Sequence, residues 1–198
     1  AGADEGDGGK VVVWSDETTR YYGNISARGH KGGAVEVSGK LNLDLRGGVD
    51  LTGTAGQGGS LLLDPRDIHF VASAGPDTPA NQPDGTPDVA ESAGGSADFS
   101  IDTAGVQGYS ELLLQASRDI YVDSALDMGG NSLRLEAGND INISSNLNVG
   151  GTATLTADAD ASGAGAIVHS GGAVSLVNGT LNGDYQYNGG SFAVGAGG

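Results

Sequence analysis

The chain has 198 residues, of which 37 are glycine and none is cysteine, and only 5% are aromatic. Twenty-five Asp and Glu against nine Lys and Arg give a formal net charge of −16. That charge excludes the basic footprint of nucleic-acid binding and disfavours docking on anionic lipid, while the missing cysteines exclude a disulfide framework.

Large side chains are too scarce to fill a conventional sandwich or barrel, so a narrow core of Val, Leu, Ile and Ala is expected. No stretch resembles a signal peptide or a transmembrane helix, so no membrane insertion is expected.

In chain order, the apolar residues alternate in short bursts. Val11 and Val13 open the series, and Ile25 and Ala27 continue it. Val35 and Val37, then Leu41, Leu43 and Leu45, then Val49 and Leu51 follow. Leu61 and Leu63 restart the cycle, with Ile68 and Phe70 behind them. Alternation over three to five residues is the signature of a strand with one face inward. Asn, Asp, Ser and Gly separate the bursts, as turns require.

Residues 74–98 break the pattern. They hold Pro76, Pro79, Pro83 and Pro87, five acids and no basic residue. Proline cannot donate to a ladder, so this segment reads as a loop insertion leaving the fold between two strands. Phe99 and Ile101 resume the alternation.

The clearest repeat begins at Leu112. Leu112, Leu114 and Ala116, then Asp119, Ile120 and Val122, then Ser124, Leu126 and Met128 return 21 positions later as Leu133, Leu135 and Ala137, Asp140, Ile141 and Ile143, Ser145, Leu147 and Val149. A looser copy runs through Ala153, Leu155, Ala157 and Asp160. Val174 and Leu176 are read as the start of another, and Phe192 and Val194 of one more.

Three short strands per coil of about 20 residues cannot bury their inner faces alone. Stacked coils, spaced about 4.8 Å apart, bury them in one continuous core. The expectation is an all-β parallel β-helix, or solenoid, forming a single domain over 1–198 with regular coils over 110–194. Leu112, Leu133, Ala153 and Val174 are expected to form one ladder along it. Helix is a poor alternative, because no long 3.6-residue apolar period appears.

Candidate chemistry is sparse, and no catalytic residue is assigned. Asp119 and Asp140 would stack one coil apart, within the range of a glycosidase pair, but they sit at a strand-entry turn where Asp is a structural choice. His30, His69 and His169 share no ladder, so no metal triad is expected. Asp158 and Asp160 are weak calcium candidates, since oxygen ligands suit that ion but no known calcium loop matches; no other cofactor is expected. Trp14, Tyr21, Tyr22, Tyr185 and Tyr187 are candidate binding contacts, because exposed rings stack on sugars or pack on a partner. Asn24, Asn142 and Asn178 each open an Asn-x-Ser/Thr sequon and are candidate glycosylation sites.

The stretch Gly-Gly-Lys-Val-Val-Val-Trp-Ser-Asp-Glu-Thr-Thr-Arg over residues 8–20, with Gly23-Asn-Ile-Ser-Ala-Arg-Gly29, resembles the filamentous haemagglutinin-type exoproteins of two-partner secretion. So do Val35-Glu-Val-Ser-Gly39 and Leu61-Leu-Leu-Asp-Pro65 with Asp67-Ile68. The resemblance implies a right-handed parallel β-helix and a secreted, bacterial cell-surface location. It also implies export through an outer-membrane secretion pore and a part in adhesion, aggregation or biofilm. The family's N-terminal secretion domain has no counterpart here, so the chain reads as a rod segment. Some adhesins of this type are modified at sequons.

An adhesive rod, not an enzyme, is therefore expected, with a glycan or protein on a host or neighbouring cell as partner. Two alternatives stand beside it: a filament subunit whose copies stack end to end through uncapped ends, and a polysaccharide-active β-helix enzyme.

Overall fold

The computed structural model describes residues 6–40, 42–45, 48–71, 90–91, 98–102 and 109–196. Among them every regular element is a strand. The first winding holds β1 (Lys10–Ser15), β2 (Thr18–Tyr21) and β3 (Ile25–Ser26), and the second β4 (Ala34–Gly39), β5 (Asn42–Leu45) and β6 (Val49–Asp50). Then come β7 (Ser60–Asp64) and β8 (Asp67–Val71), followed by β9 (Ala90–Glu91) and β10 (Asp98–Asp102). The next windings contribute β11 (Glu111–Ala116), β12 (Ile120–Val122), β13 (Leu126–Asp127), β14 (Ser132–Ala137) and β15 (Ile141–Ile143). The last strands are β16 (Leu147–Thr156), β17 (Ala166–His169), β18 (Ala173–Asn182), β19 (Asp184–Tyr187) and β20 (Ser191–Ala196).

These strands stack as a parallel β-solenoid. One sheet runs β1-β4-β7-β11-β14-β16-β18-β20, with β13 also on β16, and a second runs β19-β17-β15-β12-β8-β10-β9. The pairs β2-β5 and β3-β6 complete the first two windings. All pairings are parallel except β9 on β10. β16 and β18 are long because each runs through a corner: the start of β16 lies on β13 and its end on β14.

The core is a set of inward ladders. Val35, Leu61, Leu112, Leu133 and Ala153 stack in register, as do Val37, Leu63, Leu114, Leu135 and Leu155, and all are buried. On the second sheet Ile68, Ile120, Ile141 and Ile167 form a third ladder. Each Leu or Ile removed from water contributes about 1.5–3 kcal/mol. Branched side chains recur because each rung meets a like-shaped neighbour above and below.

Coil length varies. Lys10 faces Ala34 and Ala34 faces Ser60, steps of 24 and 26, while Glu111 faces Ser132 after 21. The first windings are thus longer than the 20-residue unit of the later repeat. Their corners are closed by glycine. A Cβ on Gly33 would lie 2.1 Å from the Gly9 carbonyl oxygen, and one on Gly59 would lie 2.0 Å from that of Gly33. Only glycine lets the backbones stack this closely.

The register corrects two sequence expectations. Val174 does not continue the Leu112 ladder. Gly179 stands opposite Ala153, and Val174 instead stacks between Leu147 and Phe192. The cause is the turn at 158–165, which lengthens that coil so that the 21-residue spacing fails. For the same reason Asp160 is not the counterpart of Asp140; Ala166 takes that place, donating its N–H to the Asp140 carboxylate at 2.8 Å. Phe99 and Ile101 do rejoin the solenoid, in β10, which runs parallel to β8. They pair with Ile68 and Phe70 on the edge of β8 opposite β12. Leu41 and most of 74–98 lie outside the described residues.

Candidate functional site

Along one corner, aspartates stack into a ladder whose oxygens are taken up by the backbone. Asp67 is fully buried and accepts the Asp119 N–H at 3.2 Å. Asp119 in turn accepts the Asp140 N–H at 3.0 Å, and Asp140 the Ala166 N–H. Side chains from the preceding positions complete the set. Arg66 and Arg118 donate through Nε to the two oxygens of Asp67 at 3.0 and 2.7 Å, and Asn139 donates to Asp119 at 2.9 Å. The bond to Asp67, with its charge, raises the Arg118 guanidinium further above its usual range. These carboxylates are therefore anchors between coils. Asp119 and Asp140 are engaged in turn bonding rather than presented as an acid–base pair.

Outward from this corner, His69 and Tyr121 stand on adjacent rungs. Their rings stack at 4.2 Å with an 8° interplanar angle, and His69 Nδ1 lies 2.8 Å from Asp123 Oδ2. The Tyr121 hydroxyl donates to Asp119 Oδ2 at 3.2 Å. Burial, reinforced by the Asp119 charge, pushes that phenol up. Sequence reading missed this constellation, although aligning Ile68-His69-Phe70 with Ile120-Tyr121-Val122 would have found it.

The expected aromatic contacts divide. Trp14 points outward from β1 and is 54% exposed; Val12, two residues before it on the same face, is 50% exposed, and Tyr22 is 56% exposed. Tyr21 is half-buried against the core and its hydroxyl donates to the Asn24 carbonyl at 3.3 Å. Tyr185 and Tyr187 occupy inward positions, in register with Ile167 and His169. Tyr185 packs on the core and its hydroxyl lies 2.9 Å from Nδ1 of the fully buried His169. Tyr187 is 56% exposed and meets His169 edge-on at 5.4 Å.

Asp158 and Asp160 sit in the turn between β16 and β17. Asp158 accepts from the Ser162 hydroxyl and the Gly163 N–H, both at 3.0 Å, and Asp160 from the Ser162 N–H at 3.1 Å. Desolvation acts to raise the Asp158 carboxyl, but bonds from Ser162, Gly163 and Ala164 outweigh it and hold it below the usual range. Both side chains thus shape their own turn. Among the described residues no group of three His, Asp or Glu side chains is placed to hold a metal.

Of the sequon asparagines, Asn24 and Asn178 are exposed and Asn142 is half-buried on the outward side of β15. The Asn24 side-chain oxygen accepts the Gly48 N–H at 2.9 Å, fastening one coil to the next.

No curated protein and no solved structure matches the chain. A family model does: the one described as hemagglutinin repeat matches residues 15–145, more than half of the chain. That span runs from the end of β1 through β15 and contains the aspartate ladder up to Asp140. With its parallel stacked coils, the chain belongs to the hemagglutinin repeat family.

Proposed function

We propose that this chain is a segment of an extracellular adhesive rod that attaches a bacterial surface to a glycan or protein on a host or neighbouring cell. Hemagglutinin repeats form a structural and adhesin family rather than an enzyme family. The observation that carries the reading is the division of labour between faces. Inward residues close a continuous apolar core, which leaves the lateral surface free, and on it Trp14 and Tyr22 stay more than half exposed. Rigid exposed rings are favoured contacts for sugars and protein partners. Export through an outer-membrane pore, aggregation and a biofilm role belong to the same reading, as does glycosylation at Asn24, Asn142 or Asn178. Beads coated with the chain are expected to adhere to epithelial or bacterial cells, and Trp14→Ala with Tyr22→Ala to reduce adhesion. Coated beads that adhere no better than bare ones would overturn the proposal.

A second reading has one observation in its favour. Phe192 and Val194 continue core ladders, in register with Val174 and Leu176, yet are 40% and 37% exposed. A further coil, of the same polypeptide or of a second copy stacked end to end, would cover them. Ordered fibres of the purified chain in electron micrographs would support the second copy. The enzyme reading has the least support, since Asp119 and Asp140 already hold backbone N–H groups.

A further inference from the structure

The outer face of the large sheet carries a hollow of about 430 Å³ across three consecutive coils, lined by Glu111, Ser132, Leu133, Arg134, Thr152 and Thr154. Its shape follows from side-chain length. Glu111 stands opposite Ser132, and Arg134 opposite Thr154, on outward rungs of β11, β14 and β16. Two long side chains thus wall a floor of three short hydroxyl residues. The volume lies within the range of small-ligand sites, about 300–1,000 Å³.

The polar groups are set in advance. Ser132 Oγ accepts the Thr152 N–H at 3.1 Å, so its own proton is left to donate outward. Arg134 donates through Nε at 2.7 Å, and also through Nη2, to Glu136 Oε1. Glu136 Oε2 in turn accepts from Gln115. The guanidinium is thereby held in orientation against Glu136. Glu111, exposed on the adjacent strand, offers acceptors only, and Arg134 offers donors only.

We propose that this hollow binds one or two rings of a neutral saccharide. Sugar hydroxyls both donate and accept, which matches a hollow that holds a carboxylate, a guanidinium and three hydroxyls. Arg134 is the last basic residue of the chain and is already neutralised by Glu136, within a protein of net charge −16. No surplus positive charge remains to hold a carboxylated or sulfated sugar. None of the lining residues is aromatic, so affinity at one hollow is expected in the millimolar range. Repeated presentation on a cell surface would raise the effective strength without new contacts.

This inference rests on the adhesive reading and names its ligand class. The test is saturation-transfer NMR on the whole chain with neutral trisaccharides of glucose, galactose, mannose or N-acetylglucosamine. A sialylated and a sulfated trisaccharide serve as anionic probes. At least one neutral probe should bind with millimolar Kd. Arg134→Gln and the near-isosteric Thr154→Val should each weaken it about tenfold, or ~1.4 kcal/mol, with unchanged amide spectra. Gln186→Ala, at an exposed position of β19 on the second sheet, should leave it unchanged. No neutral binding, preference for the anionic probes, or unchanged affinity in Thr154→Val would overturn the proposal. If coated beads adhere to cells while no neutral probe binds, the hollow fails and the adhesive reading stands; if the beads also fail to adhere, both fall.

Discussion

The carboxylate of Asp67 accepts the backbone N–H of Asp119 at 3.2 Å, joining two coils whose strands are separated by 51 positions, from Ser60 to Glu111. This is the longest step between paired strands among the described residues, and the fully buried Asp67 also holds Arg66 and Arg118 there. Asp67→Ala removes the acceptor for a buried N–H and the partner of Arg66, while Arg118 keeps Asp119 at 3.2 Å. Leaving a buried N–H without its acceptor costs about 1–3 kcal/mol, and the two half-exposed arginines stay solvated, so the urea midpoint should fall accordingly. Asp67→Asn keeps an oxygen for the N–H and should lose less.

Asp64 stands two coils from Trp14 on the same outward rung, through Ser38. Burial, and then the charge of Glu36, raises its carboxyl above the usual range. A carboxyl raised in the folded state favours folding while protonated. That contribution is complete below the unfolded value and is lost as pH rises through the folded one. Asp64→Asn should therefore raise Tm at pH 7 and change it little once both proteins are protonated in acid. Glu36→Gln should shrink the gain. A loss of stability at pH 7 in Asp64→Asn would contradict this account.

Gly33→Ala and Gly9→Ala should behave oppositely although both positions lie on one corner. A Cβ on Gly33 meets the Gly9 oxygen at 2.1 Å and the Ala27 Cβ at 2.9 Å, whereas one on Gly9 meets nothing within 4 Å. Gly33→Ala must separate two coils and is expected to cost about 2 kcal/mol or more, and Gly9→Ala to stay within about 0.5 kcal/mol. Thermal unfolding of the two variants makes the comparison.

Much of this fold was legible because a solenoid writes its period into the chain. Leu112 and Leu133 are identical residues at identical points of a 21-residue coil, and they do stack. Legibility ended where a turn changed length. The residues at 158–165 moved the ladder partner of Ala153 from Val174 to Gly179, and glycine carries no hydrophobic mark to reveal it. Asp119 and Asp140 were visible as turn residues, but their bonding to N–H groups one coil away depends on register, which spacing alone left open. The carbohydrate-sized hollow was not legible at all, since it arises from short side chains between long ones on neighbouring coils.

Tyr109 was missed because a single aromatic in a turn has no period. It is buried, and its hydroxyl donates to the Val49 carbonyl at 3.2 Å across a sequence distance of 60. Burial, and then the charge of Asp50, raises its phenol well above the usual range, so it stays a neutral donor. Tyr109→Phe should cost about 1 kcal/mol through the lost hydrogen bond. Tyr109→Ala should cost about 3–5 kcal/mol by opening a cavity. Equal costs in a denaturant titration would show that the hydroxyl, not the ring, holds this corner.

The winding itself is tested most directly by cross-linking two rungs. Thr154 and Thr180 face each other on adjacent parallel strands. Their expected Cα separation of about 4.8 Å lies within the disulfide range of about 4.4–6.8 Å. The chain has no cysteine to interfere. Thr154→Cys with Thr180→Cys should close an intramolecular disulfide under native conditions, seen as a mobility shift on a non-reducing gel. Thr154→Cys with Ser175→Cys, the pairing a strict 21-residue coil would demand, should not. Closure of the second pair and not the first would contradict the stacked register from which every face and ladder above is built.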